Sequence, residues 1–143
     1  MPRKYLMAPL LALTATALGL AAGPAWAGGP DGTVEDAGDI SVAVGTGAFL
    51  DRLVGFRATG ATNEEASARV IAQCQSAGGQ DCTSDEVTND RLCIVSVADA
   101  GNGVVAGGAG ATIDAARADA FGRAAANGTP IGPSAETVIS DCH

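Results

Sequence analysis

Only a few groups in this sequence could cut, ligate or cross-link, and their spacing decides which of these they can do. Cysteines stand at Cys74, Cys82, Cys93 and Cys142, and the single histidine, His143, is the last residue. Cys74 and Cys82 lack the C-x-x-C spacing of a zinc site, so metal ligation is not expected. A terminal imidazole has no surroundings to hold it, which argues against Ser-His-Asp and Cys-His catalysis. Carboxylates occur as sequence neighbours: Glu64 with Glu65, Asp85 with Glu86, and Asp36 near Asp39. Glycoside hydrolysis needs two carboxyls facing across a cleft. Each of these pairs instead has an ordinary use as helix cap, strand surface or tail. Gly107-Gly108-Ala109-Gly110 leads into a helix but lacks the third glycine of a dinucleotide fingerprint and the lysine of a P-loop, so close packing of strand on helix explains it. Residues 99–103 (DAGNG) lack the alternating acids and distal Glu of a calcium loop, and read as a hairpin turn. No catalytic residue, cofactor or metal ligand is assigned.

Two helices must position whatever the chain presents. In residues 60–78 (GATNEEASARVIAQCQSAG), Thr62 and Glu65 have capping-box spacing. Ala66, Val70, Cys74 and Ala77 recur on one helical face, and Gly78 suits a left-handed stop. Residues 110–128 (GATIDAARADAFGRAAANG) repeat the pattern with Thr112 as cap, Asp114 in the first turn, an Ala116, Ala120 and Ala124 stripe with Phe121 beside it, and Gly128 as stop. The two stretches register at an offset of fifty residues.

Short apolar stretches around them read as strands. Residues 40–44 (ISVAV) alternate, Gly45-Thr46-Gly47 supplies turn chemistry, and residues 53–56 return. Residues 82–88 are a weak strand, expected at an edge. Residues 92–98 (LCIVSVA) are the clearest strand, followed by the turn at 99–103, a return at 104–107, a loop at 131–133 and a closing strand at 136–140. The match of residues 40–43 to residues 95–98 supports duplication, with a loop five residues shorter in the second copy. The expected fold is α+β: duplicated ββαβ units forming an antiparallel-rich sheet with two helices on one face, stabilised by disulfides. One domain is expected over residues 39–143, with half-repeats 39–90 and 91–143.

The chain opens as a targeting segment. Arg3 and Lys4 give a positive start, residues 6–22 are apolar, and Ala25-Trp26-Ala27 is an A-x-A site. The apolar run is short for a membrane span and no basic stop-transfer cluster follows it. Cleavage between Ala27 and Gly28 is expected, leaving no stable membrane anchor, and secretion to the envelope or extracellular space. Residues 28–38 read as a disordered acidic leader. From Gly28 onward six Arg face sixteen acids, a net charge of −10, with no Lys, Trp or Tyr. That charge argues against nucleic acid and anionic membrane as partners. The missing Trp and Tyr remove the usual stacking platforms for sugars and bases.

Four cysteines behind an export signal imply two disulfides. At the fifty-residue offset Ala124 and Gly132 stand where Cys74 and Cys82 would recur. A pair lost together suggests a pair bonded together, so Cys74–Cys82 and Cys93–Cys142 are expected.

The combination of signal segment, hairpin, Ala-rich helix with a cysteine (Ala66 to Cys74), Cys82 and Cys93 around a strand, Gly108-Ala109-Gly110-Ala111-Thr112 leading into a second Ala-rich helix, and a final Cys142 resembles the secreted bacterial proteins grouped as domain of unknown function 4189. The likeness covers most of residues 39–142. It differs in lacking strand Trp or Tyr and further cysteines in the second half. The resemblance implies secretion and fold and no particular activity. The functional expectation is a small exported non-catalytic module that binds a protein or ligand of unknown identity. The alternatives are a small carboxylate enzyme and a structural envelope protein.

Overall fold

The computed structural model describes residues 39–142. The signal segment, its Ala27–Gly28 cleavage point and the leader at 28–38 lie outside the described residues. The element order is β1 (Ser41–Phe49), β2 (Arg52–Gly60), α1 (Asn63–Ser76), β3 (Gln80–Thr88), β4 (Cys93–Asp99), β5 (Val104–Gly110), α2 (Ile113–Ala126) and β6 (Glu136–Asp141). This is ββαβ twice. In place of one continuous sheet, the strands form two antiparallel three-stranded sheets, ordered β2-β1-β3 and β5-β4-β6.

The burial pattern of the central strands explains the split. Along β1, Val42 and Val44 join Ile94 of β4, with Ala109 and Ile139 against them, in a cluster between the sheets. Ala43 faces the other way and packs with Ala58, Ala66 and Val70 under α1. In β4, Cys93, Val95 and Val97 pack with Ala116, Ala120 and Ala124 under α2. Both central strands are therefore covered on both faces, and the layers run helix, sheet, sheet, helix. Alternation alone cannot reveal the second sheet, because a strand buried on both faces reads as a nearly unbroken apolar run.

The helices are built as their sequences indicate. The Thr62 hydroxyl accepts from the Glu65 amide at 3.1 Å, and the Glu65 carboxylate accepts from the Ala61 amide at 3.0 Å, one residue before the cap. The Thr112 hydroxyl accepts from the Ala115 amide at 3.0 Å. Gly78 and Gly128 take φ of +94° and +80°, the left-handed geometry that ends a helix cheaply in glycine. The buried positions are Ala66, Val70 and Cys74 on α1, and Ala116, Ala120 and Ala124 on α2. Such small contact residues bring helix and sheet close together. A Cβ at Gly108 would sit 2.1 Å from the Ala116 carbonyl oxygen. That contact supports the packing reading of residues 107–110 over a phosphate cradle.

Gly45-Thr46-Gly47 is not a turn. It lies inside β1, whose pairing with β2 runs unbroken from Ser41↔Gly60 to Phe49↔Arg52, and the turn is Leu50-Asp51. These glycines serve close approach: a Cβ at Gly45 would lie 1.9 Å from the Thr83 carbonyl oxygen, and one at Gly47 would lie 2.1 Å from Cys74 Sγ.

The likeness of residues 40–43 to residues 95–98 is likewise not a structural equivalence. Ser41 opposes Gly60 as Cys93 opposes Gly110. Val42 therefore corresponds to Ile94, three residues from the position suggested by the matching letters. Three is odd, so the letter match would pair Val42, which faces the opposite sheet, with Val97, which faces α2. The turn lengths also reverse the expectation: two residues join β1 to β2, and four join β4 to β5.

Cys74 bonds Cys82, and Cys93 bonds Cys142. The first bridge ties the end of α1 to the start of β3. The second ties β4 to the residue that follows β6.

Candidate functional site

The two hairpin tips lie at the same end of the sandwich and border a cleft of about 730 Å³. One wall is the β1–β2 tip: Ala48, Phe49, Leu50, Arg52 and Leu53. The other comprises Ala98 to Gly101 and Gly103 from the β4–β5 loop, with Ser134, Glu136 and Val138 from β6 and its approach. Phe49 is braced by Phe56, whose ring centroid lies 6.1 Å away.

Asp99 holds the loop wall. Its carboxylate accepts from the Gly132 amide at 2.6 Å and the Gly101 amide at 2.8 Å. These backbone hydrogen bonds, the Gly132 bond foremost, lower its pKa below the ordinary Asp value, against an opposing push from burial. Asp99, which opens the hairpin turn expected at residues 99–103, is thus a clamp between two loops. Asn102 reinforces it, donating to the Pro130 carbonyl at 3.1 Å and accepting from the Val104 amide at 2.9 Å. Arg117 fixes the approach to β6, donating to the Ala135 carbonyl and to Thr137 Oγ1, with its guanidinium 5.0 Å from the Phe121 centroid.

The carboxylate pairs are separated in use. Glu65 completes the α1 cap and pairs with Arg69 at 3.0 Å. Asp85 sits at a β-bulge, where Val44 opposes Glu86 and Gly45 opposes Ser84, leaving Asp85 unopposed. A bulge re-aims the side chain it carries. Asp85 accepts from Ser96 at 2.8 Å, Thr46 at 3.1 Å and Thr83 at 2.7 Å. Ser96 belongs to the opposite sheet, so this polar knot joins the two layers. Glu86 pairs with Arg123 of α2 at 2.6 Å, and Asp39 accepts from Thr59 at 3.0 Å. Asp36 lies outside the described residues. The structure gathers none of these pairs in the cleft. Among the described residues, no group of three or more His, Cys, Asp or Glu side chains could hold a metal ion.

Sequence reading missed the cleft because it placed the first turn too early. With the turn at residues 45–47, Leu50 is not seen as a tip and Leu53 is only a strand residue. An apolar Leu beside Asp51, between two stretches that pair without a break, is the signal that could have marked it.

Residue pattern, disulfides and layers together define a cysteine-bridged α+β domain. Residues 37–142 match the model of the family described as Domain of unknown function (DUF4189), and the chain belongs to that family. No curated protein and no solved structure matches. Among the described residues no helix is long and apolar enough to cross a membrane.

Proposed function

We propose that the protein is a small exported, non-catalytic module of the envelope or extracellular space, which binds a protein or ligand in the cleft between its hairpin tips. One observation carries this reading. Three large apolar side chains stand exposed among the described residues, and two of them, Leu50 and Leu53, line this one cleft. Concentrated exposed apolar surface marks interaction sites, whereas scattered single residues do not. The cleft volume also falls within the range of about 300–1,000 Å³ usual for ligand sites. The non-catalytic part of the reading is supported by Glu65, Asp85 and Glu86, whose carboxylates are engaged in a cap, an inter-sheet knot and an ion pair. Export is supported by the apolar start with its A-x-A site and by two disulfides, which persist in oxidising compartments.

The test is a titration with anilinonaphthalene sulfonate, a fluorescent apolar probe, on the purified oxidised protein. Saturable binding of one probe per chain is expected. Leu53→Asp should abolish it while leaving the circular dichroism unchanged. Absent binding to the dilute, monomeric protein, or binding indifferent to Leu53→Asp, defeats the reading of the cleft. The N-terminus of the exported form, read by mass spectrometry, should be Gly28.

A further inference from the structure

We infer that the cleft receives a second copy of this chain, each protomer seating its Leu50 in the cleft of the other. This rests on the cleft being a docking site and names the partner it docks. Leu50 occupies a two-residue hairpin turn with Asp51 and is 110% exposed. Neither residue takes a positive φ, so the turn accepts most residue types and gives leucine no advantage over a polar residue. Neither turn geometry nor burial within the chain accounts for an apolar side chain there. Contact with another molecule does.

The occupant follows from the arrangement. Leu50 stands at the lip of the cleft, so projection and hollow lie side by side on one surface. A two-fold axis between them seats each projection in the other molecule's hollow, the self-complementary pattern of a closed dimer. Charge follows the same axis. Arg52 lies on the hairpin wall beside Leu50, and Glu136 lies on the β6 wall. Among the described residues neither side chain has a hydrogen bond or ion pair. The operation that buries Leu50 also brings each Arg52 toward Glu136 of the other copy. The net charge of −10 from Gly28 onward opposes association, but screening within about 8 Å at physiological salt confines that repulsion to short range.

Sedimentation equilibrium of the purified oxidised protein, from micromolar to near-millimolar concentration at physiological salt, tests this. A reversible rise to twice the monomer mass is expected. Leu50→Asp, and the milder Leu50→Ser, should each weaken association by at least about tenfold, because an isologous interface carries every substitution twice and buried anchors dominate binding. Arg52→Glu alone should weaken it, and Arg52→Glu with Glu136→Arg should recover it. A monomer at every concentration overturns the proposal, as does a dimer insensitive to both Leu50 variants, or a charge swap that fails to recover. The probe titration keeps the two readings apart. A monomer that binds the probe in a Leu53-dependent way loses the dimer and retains the cleft.

Discussion

Removing the long disulfide should cost more stability than removing the short one, and the difference follows from loop length. The Cys93–Cys142 bridge closes a separation of 49 residues, and Cys74–Cys82 closes one of 8. In the chain-entropy account these constrain the unfolded chain by about 4 and about 2.5 kcal/mol. Packing does not obscure the comparison, since each bridge has one buried sulfur-bearing residue: Cys74 is 1% exposed and Cys93 is 7% exposed. Double alanine variants of each pair should therefore differ by roughly 1.5 kcal/mol. For a domain of this size the long-bridge variant should melt about 16 °C lower than the parent and the short-bridge variant about 10 °C lower. Total stabilities of small domains are about 5–15 kcal/mol, so the first loss is a large share of the whole. Thermal unfolding followed by circular dichroism, with free thiol content checked, measures both. Equal melting temperatures, or a greater loss from the short bridge, would refute the loop-length reasoning.

Two further outcomes rest on geometry already described. Gly108→Ala places a Cβ 2.1 Å from a backbone oxygen of α2; such overpacking should lower stability by about 1–3 kcal/mol in chemical denaturation, while Gly122→Ala, whose Cβ meets nothing within 4 Å, should not. Asp99 has a folded-state pKa below its ordinary value, so its contribution is present above the unfolded-state pKa and is lost as pH falls through the folded-state one; melting temperature against pH should therefore fall less steeply below about pH 4 in Asp99→Asn than in the parent, and parallel curves would contradict the clamp.

The readable part of this fold was the part set by local rules. Caps at Thr62 and Thr112, stops at Gly78 and Gly128, and the buried stripes that recur every fourth residue on both helices depend on residues within a turn or two of each other. The ββαβ order followed from those helices and the turns between apolar runs. What sequence could not disclose was the function of glycine at a distance. Gly45 and Gly47 carry turn composition, yet each is needed because something far along the chain, Thr83 or Cys74, presses against the strand. The split into two sheets was hidden for a related reason. Val42 and Ile94 meet across layers through contacts more than fifty residues apart, and nothing local distinguishes a face that meets a sheet from one that meets a helix. The cleft needed all of this at once: the right tip, the second sheet and the position of β6.

The two halves also put one backbone irregularity to different uses. The β3 bulge falls between the partners of Val44 and Gly45, and the β6 bulge falls between those of Ser96 and Val97. Val44 corresponds to Ser96 in the register set by Gly60 and Gly110, so the two bulges occupy equivalent places and leave Asp85 and Val138 unopposed. The same backbone irregularity then has opposite consequences. At Asp85 it aims a carboxylate at Thr46, Thr83 and Ser96, and hydroxyls from both sheets close over it. At Val138 it supplies an apolar wall that gathers no polar partners, and the space beside it stays open as the cleft. A carboxylate draws donors inward because leaving it buried and unpaired is costly, whereas a valine makes no such demand. One half uses the bulge to fasten the sheets together, and the other uses it to leave room between them.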